Sequence, residues 1–518
     1  MSRVAFSGGH ILTMDDRNMR ADVLVVDGER IVALGEPELL RSYPDVDVVD
    51  LQGRTVGPGF IDAHSHLSIA ALHPCWADVS DVADIDDLGR RLTEHAAREP
   101  DTDWIRAAGW NELTTSVFPR RRDLDALDLD CPVVVAHYSL HQCVVSSRAL
   151  DVLGIDRRTP DPVGGVIGRD ASGEPDGLLV ERAWSEAHAR SMSAYEDPDR
   201  WGEHIVAYAH RLIADGITAV HDAACSPAAE RCYALLAKAG RLPIGVLAMP
   251  HPALILNAPT PDRLEGAITG EGDERFRIGA VKLFADGGVA PAVDAHHRGQ
   301  PVKFGTVFPD LTTHVSAAAE RGFQVAVHAL GNVGLAGALE AFTHAARRDP
   351  DGDHRFRVEH ACLADARQAA TMAALGAVGV VQPGFLHHLG QAVEGFGFDD
   401  ATWLPFGTLA RAGVPLAASS DDPCTFYEPL RTSAHGATRR TGSGNVLNSG
   451  ESVTYDDWLR AYTAGAAYAG RQDGERGRIA PGLRADFVVL DGPLDPENPP
   501  RVAETWIGGR RVFPKHES

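Results

Sequence analysis

Through the middle of the chain, apolar strand-length runs alternate with Ala-, Leu- and Arg-rich helical stretches. GITAVHDA (216–223) is followed by PAAERCYALLAKAG, FQVAVHALGN (323–332) by VGLAGALEAFTHAARR, and FRVEHACL (356–363) by ADARQAATMAALG. Strands that are apolar throughout are buried on both faces. Joined by helices, they form a parallel sheet with helical crossovers. TVGPGFIDAHSHL (55–67), LPIGVLAMP (242–250), RIGAVKLFADG (277–287), AVGVVQPGF (377–385) and VPLAASSDDP (414–423) complete a set of eight strands. Eight is the number that closes a (β/α)8 barrel, so the fold class expected is α/β with a TIM barrel.

The ends of the chain read differently. VAFSGGHILTMD, ADVLVVDGERIVALG and DVDVVDLQGRTV are short β-branched runs, and Asp27-Gly28 supplies the positive φ of a tight hairpin. ADFVVLDG (485–492) and TWIGGRRVF (505–513) repeat that style at the other end. A small β-sandwich built from both termini is therefore expected, with residues 1–57 as its first part and 471–518 as its second. The barrel then occupies 58–470. Residues 72–185 break the alternation, and without them the barrel segment approaches the ~250 residues typical of the fold. They are read as an insertion after strand one, over the barrel mouth. It holds two stretches able to pair as strands, CPVVVAHYSLHQCVVSS and GGVIGRDASGEPDGLLVE.

Composition narrows the partners. The formal net charge is -23, which disfavours nucleic acid or an anionic membrane as a general partner. No run reaches the ~18 apolar residues of a membrane-spanning helix, and the N-terminus shows no signal-peptide core. The seven cysteines are widely spaced with no Cys-x-x-Cys, as free thiols in a reducing compartment would be. The expectation is a cytoplasmic protein acting on a small molecule; a homodimer stays open.

Chemistry concentrates where apolar strands end. His64-Ser65-His66 closes strand one, and residues i and i+2 of a strand share a face, so both imidazoles look into the barrel. His328 ends FQVAVH, His360 ends FRVEH and Asp421 ends VPLAASSD. In such barrels the carboxyl ends of the strands converge on the active site. Four imidazoles and a carboxylate make a metal-ligand set with a group able to move protons. Lys282 lies inside GAVKLFADG, where a lysine is costly unless paired or modified. One reading pairs it with Asp286 or exposes it; the other carbamylates it into a carboxylate-like bridge between two metals.

In order along the chain, GFIDAHSHL, VKLFADGG, VAVHALGN, VEHACL and SSDDP, with GRIAPGLRADFVVLD near the end, resemble the amidohydrolase superfamily. GWNEL (109–113) and the two strand-forming stretches of the insertion are similar to its amidohydrolase-3 or YtcJ-like branch, which includes N-substituted formamide deformylases. The resemblance implies a (β/α)8 barrel with a terminal β-sandwich and one or two divalent metals, usually zinc. It places the metal ligands at His64, His66, Lys282, His328, His360 and Asp421, with N6-carboxylysine at Lys282 and Asp421 also catalytic. Substrate contacts are expected from His141, His221, Trp110, Asn332 and His387. Asn332 stands where many relatives have aspartate. Cys225 falls beyond the end of strand two and is not assigned as a ligand.

The function expected is metal-dependent hydrolysis of a C–N bond in an amide or N-substituted formamide, with Asp421 as general base and acid. The same site chemistry also suits esters, lactones, cyclic imides or deamination. A catalytically silent binding or regulatory protein on the same fold is the alternative of a different class.

Overall fold

The computed structural model describes residues 3–15, 20–251 and 263–514. Its centre is the expected barrel. Strand one (Phe60–Ser65) pairs in parallel with strand two (Ile217–Cys225), and that with strand three (Gly245–Pro250). Strand four is in two pieces: Phe276–Ile278 pairs with strand three, and Val281–Phe284 with strand five, Val325–Ala329. At the break the Gly279 amide donates to Ala248 at 2.7 Å and the Val281 amide to Gln324 at 2.8 Å, so the chain changes neighbour without leaving the wall. Strands six (Arg357–His360), seven (Val378–Val381) and eight (Leu416–Ala418) follow in parallel. The ring closes between strands eight and one. The Asp421 amide donates to the His64 carbonyl at 2.8 Å, and the His66 amide to that of Asp422 at 2.7 Å.

Small apolar residues fill the inside: Ile61, Ala63, Ala219, Val378, Val380 and Ala417 belong to one buried cluster. The crossovers begin where the sequence caps them. Asp197 accepts from the Arg200 amide before Pro198–Ala214, Ser226 from the Ala229 amide before Pro227–Lys238, and Asp365 forms a capping box with Gln368. Gly216 turns the chain into strand two at φ +82°, with Val488 2.8 Å from where a Cβ would sit. A side chain there meets both backbone strain and a clash.

Strands from the two ends of the chain share one eight-stranded sheet, in which Phe487–Leu490 lies antiparallel to Thr55–Pro58. The Asp27-Gly28 turn joins Arg20–Asp27 to Arg30–Gly35, with Gly28 at φ +58°. Leu24 and Val26 face one apolar core and Val23 and Val25 another, the period of two that both-sided burial requires. Between strands one and two the chain builds a six-stranded sheet. Within it Gln142–Val145 pairs with Pro175–Glu181, which pairs in turn with Gly165–Arg169. Among the described residues no helix is long and apolar enough to cross a membrane. All seven cysteines are free thiols.

Candidate active site at the barrel mouth

The polar residues that end the strands meet at one place. His64 and His66 stand at the top of strand one, and Asp421 follows strand eight, its amide donating to the His64 carbonyl of strand one. Asp421 Oδ1 lies 3.1 Å from His66 Nε2 and 3.3 Å from His64 Nε2. The donor atoms of these three residues all lie within 4.8 Å of one another. The His360 ring is 4.9 Å from that of His64 and 4.6 Å from that of His328. His360 and Asp421 hold left-handed backbone conformations, φ +76° and +60°. For residues other than glycine such strain costs ~1–3 kcal/mol each and clusters at functional sites.

Three of the imidazoles are held by their other nitrogen. His64 Nδ1 is 2.5 Å from Glu359 Oε2, His66 Nδ1 is 2.9 Å from the Ala223 carbonyl, and His360 Nδ1 is 2.9 Å from Gln382 Oε1. Carboxylate and carbonyl oxygens only accept, so each of these Nδ1 atoms carries a proton, and the Nε2 atoms of His64 and His360 keep their lone pairs. Burial, with Lys282 beside it, pushes His64 down to about 3, and burial takes His360 to about 4. Burial also holds His328 well below the usual imidazole range, and its Nε2 is buried with no hydrogen-bond partner. Burial raises the Asp421 carboxyl, but the hydrogen bond from His66 and the nearby His360 and His64 rings outweigh it and hold the group well below the usual carboxylate range. Imidazoles with oriented Nε2 atoms beside an ionised carboxylate fit a divalent cation.

Lys282 is 1% exposed, with Nζ 3.4 Å from His64 Nε2 and over the face of Phe284. Neither bland reading of this lysine holds. It does not reach solvent, and among the described residues it has no ion pair with Asp286. That carboxylate instead accepts the amides of Ala292, Leu330 and Gly331. Burial pushes the Lys282 amine down to about 8, against the pull of Glu359 and Asp421. Asp422 faces away from the histidines and accepts from the Tyr208 hydroxyl at 2.9 and 3.0 Å. Burial raises it to about 8.

Above the cluster is a cavity of about 640 Å³, walled on one side by the barrel loops and on the other by the insertion. His141 lines it, with Nδ1 2.7 Å from Glu181 Oε2 and its ring 5.2 Å from that of His328. The other expected substrate contacts lie elsewhere. Trp110 is in the insertion's own core, donating to the Val117 carbonyl at 2.8 Å. His221 is buried inside the barrel wall with Nδ1 3.2 Å from Arg357 Nη1. Asn332 ties the start of its helix to both backbone groups of Asp294. His388 rather than His387 lines the cavity, because the short helix Phe385–His388 turns His387 toward His435. Cys225 is buried with Sγ 3.7 Å from the Ser226 carbonyl.

The supporting residues Glu359, Gln382 and Glu181 are not singled out by the sequence reading. The first has a visible signal: Arg357 and Glu359 stand two apart inside the apolar run FRVEH, which points both charges the same way. They do pair, Arg357 Nε donating to Glu359 Oε1 at 2.8 Å.

The model of the amidohydrolase family matches residues 47–513. The N-substituted formamide deformylase of Arthrobacter pascens is 32% identical over 505 residues, covering 94% of this chain and 93% of that protein. YtcJ of Bacillus subtilis is 28% identical over 542 residues, covering 99% and 100%. Among solved structures, an uncharacterized metal-dependent hydrolase from Pyrococcus horikoshii overlays with a TM-score of 0.74 at 24% identity, covering 96% of this chain and 98% of that one. At that identity the overlay speaks to the fold.

Proposed function

The chain belongs to the amidohydrolase family, and from that membership we propose that it cleaves the C–N bond of an N-substituted formamide or a closely related amide. Members of this family with such a relative are hydrolases acting on carbon–nitrogen bonds other than peptide bonds, and this protein is one. Its similarity to the formamide deformylase supports the narrower substrate. The observation that carries the mechanism is Asp421 Oδ1, set between the Nε2 atoms of His64 and His66 at the floor of the cavity.

His64, His66, His328, His360 and Asp421 would hold one or two divalent ions, zinc being the species proposed for so imidazole-rich a donor set. When bound, such an ion lowers the pKa of water and polarises a carbonyl oxygen. Asp421 stays ionised, so its Oδ1 accepts a proton from the attacking water as the new C–O bond forms. The same carboxyl then gives that proton to the departing nitrogen as the C–N bond breaks. The transfer matters because an amide anion is a very poor leaving group. Lys282, buried with a lowered pKa, is partly a free amine near neutrality. Its lone pair adds to the carbon of carbon dioxide: an N–C bond forms, one C=O π bond breaks onto oxygen, and an N–H proton passes to water. The cation becomes an anionic carbamate suited to a further metal contact.

A hydrolysis screen across N-substituted formamides, N-acyl amines, cyclic amides and lactones tests the reading, with metal content measured on the same sample. Release of formate and amine in equal amounts is expected. Turnover confined to esters or lactones, or a metal-free active enzyme, would defeat it.

A further inference from the structure

Arg106, on the insertion strand Ile105–Trp110, is completely buried and has no acidic partner among the described residues. Its Nη1 donates to Ser191 Oγ at 2.5 Å and its Nη2 lies 3.2 Å from His188 Nδ1. The guanidinium stacks over Trp76 and Trp184, 4.4 and 5.3 Å from the ring centroids, and its Nε has no hydrogen-bond partner. A buried cation left without a carboxylate is costly, and the aromatic faces offset only part of that. Its geometric consequence falls on His188.

A guanidinium has donors and no acceptor, and it keeps its proton. His188 Nδ1 must therefore accept, which leaves the ring's one proton on Nε2, at the edge away from Arg106. Burial and the Arg106 charge hold His188 well below the usual imidazole range, so the ring stays neutral. His188 lies on the helix Arg182–Met192 and lines the cavity, with apolar Trp184 and Met192 and polar Glu196 and His251 among the other lining residues. The result is one N–H donor of fixed tautomer on a wall of mixed character. Pockets that orient a ligand by a few placed polar groups among apolar ones are built this way.

Resting on the amide-hydrolase reading above, we propose that His188 is a specificity-determining donor that binds an oxygen acceptor on the substrate's N-substituent, with Arg106 as the positioning residue that sets its tautomer. A ligand lacking that oxygen leaves the donor unpaired, which costs about tenfold or more in binding.

The test uses pairs of N-substituted formamides in which an ether or ketone oxygen of the substituent is replaced by methylene. Wild type should prefer the oxygen-bearing member by about tenfold or more, chiefly through KM. His188→Phe, or His188→Leu as a second donor-free variant, should lose the preference. His188→Gln, which keeps an N–H near the Nε2 position, should retain most of it. ¹⁵N-histidine NMR, with the His188 signals assigned by their loss in His188→Gln, should show protonation at Nε2 alone. No wild-type preference, an equal preference in His188→Phe, or protonation at Nδ1 would overturn the proposal. A uniform fall in kcat at constant KM across all pairs would also overturn it, by placing the contact on the reacting carbonyl. If wild type cleaves no formamide, the function reading fails instead; calorimetric binding of the uncleaved pairs then tests His188 on its own.

Discussion

Glu359 Oε2 sits 2.5 Å from His64 Nδ1, and neither side chain meets solvent. Burial works to raise this carboxyl, but Arg357 and His64 outweigh it and hold it well below the usual carboxylate range. The carboxylate fixes which His64 nitrogen faces the cavity floor, and Arg357 neutralises it from behind, donating also to the Ala63 carbonyl at 2.6 Å.

Replacing Glu359 with Gln keeps the shape and removes the charge. Losing such a supporting partner typically lowers metal affinity by ~10–100-fold. Chelator competition on purified Glu359→Gln should show a loss of that size. Wild-type affinity would mean that the pair serves packing alone.

Asp422 carries a pH signature. Its carboxyl keeps its proton up to about 8 in the folded chain, whereas an unfolded aspartate releases it near ~3.9. Between those values the unfolded state binds fewer protons, so this group lowers stability as pH rises and contributes most stability at the acid end. Asp422→Asn is permanently neutral and should remove that term. Its Tm should fall less between pH 5 and 8 than the wild-type Tm, with activity largely kept, because the side chain faces Tyr208. Identical pH dependence of Tm in the two proteins would contradict this.

Lys282 offers a chemical rescue. Lys282→Ala should lose most activity when metal is reconstituted, and short carboxylic acids should restore part of it by supplying the missing oxygens. Reconstitution of wild type without bicarbonate should also lower activity. Full activity of Lys282→Ala with no additive would exclude a bridging carbamate.

What the sequence makes legible follows from how strongly local pattern constrains each residue. His64, His66, His328, His360 and Asp421 each end an apolar strand, and barrel closure leaves such a side chain little choice of direction. The barrel itself is legible because both-sided burial recurs in its strands and crossover helices follow several of them. Glu359 is a visible charge in FRVEH, yet its partner His64 is 295 residues away, and no local period reports that distance. Trp110 misleads for a related reason: its place in GWNEL suggests the mouth, while the insertion builds an apolar core of its own and takes the ring. Asn332 sits beside His328 in sequence, but the start of a helix turns it outward to Asp294. His188 is unremarkable on its helix until Arg106, from a different strand, fixes its tautomer.

The most direct test of the account is the steady-state kinetics of Asp421→Asn on an N-substituted formamide, with metal content determined on the same preparation. The variant keeps the shape of the carboxylate and removes the proton acceptor, while the imidazoles remain to hold the ion. General acid–base groups typically contribute ~10²–10⁴-fold, so kcat should fall by about that much or more with metal content close to wild type. Near-normal kcat in Asp421→Asn, with Asp422→Asn the inactive variant, would contradict the assignment of Asp421 as the group that moves the proton.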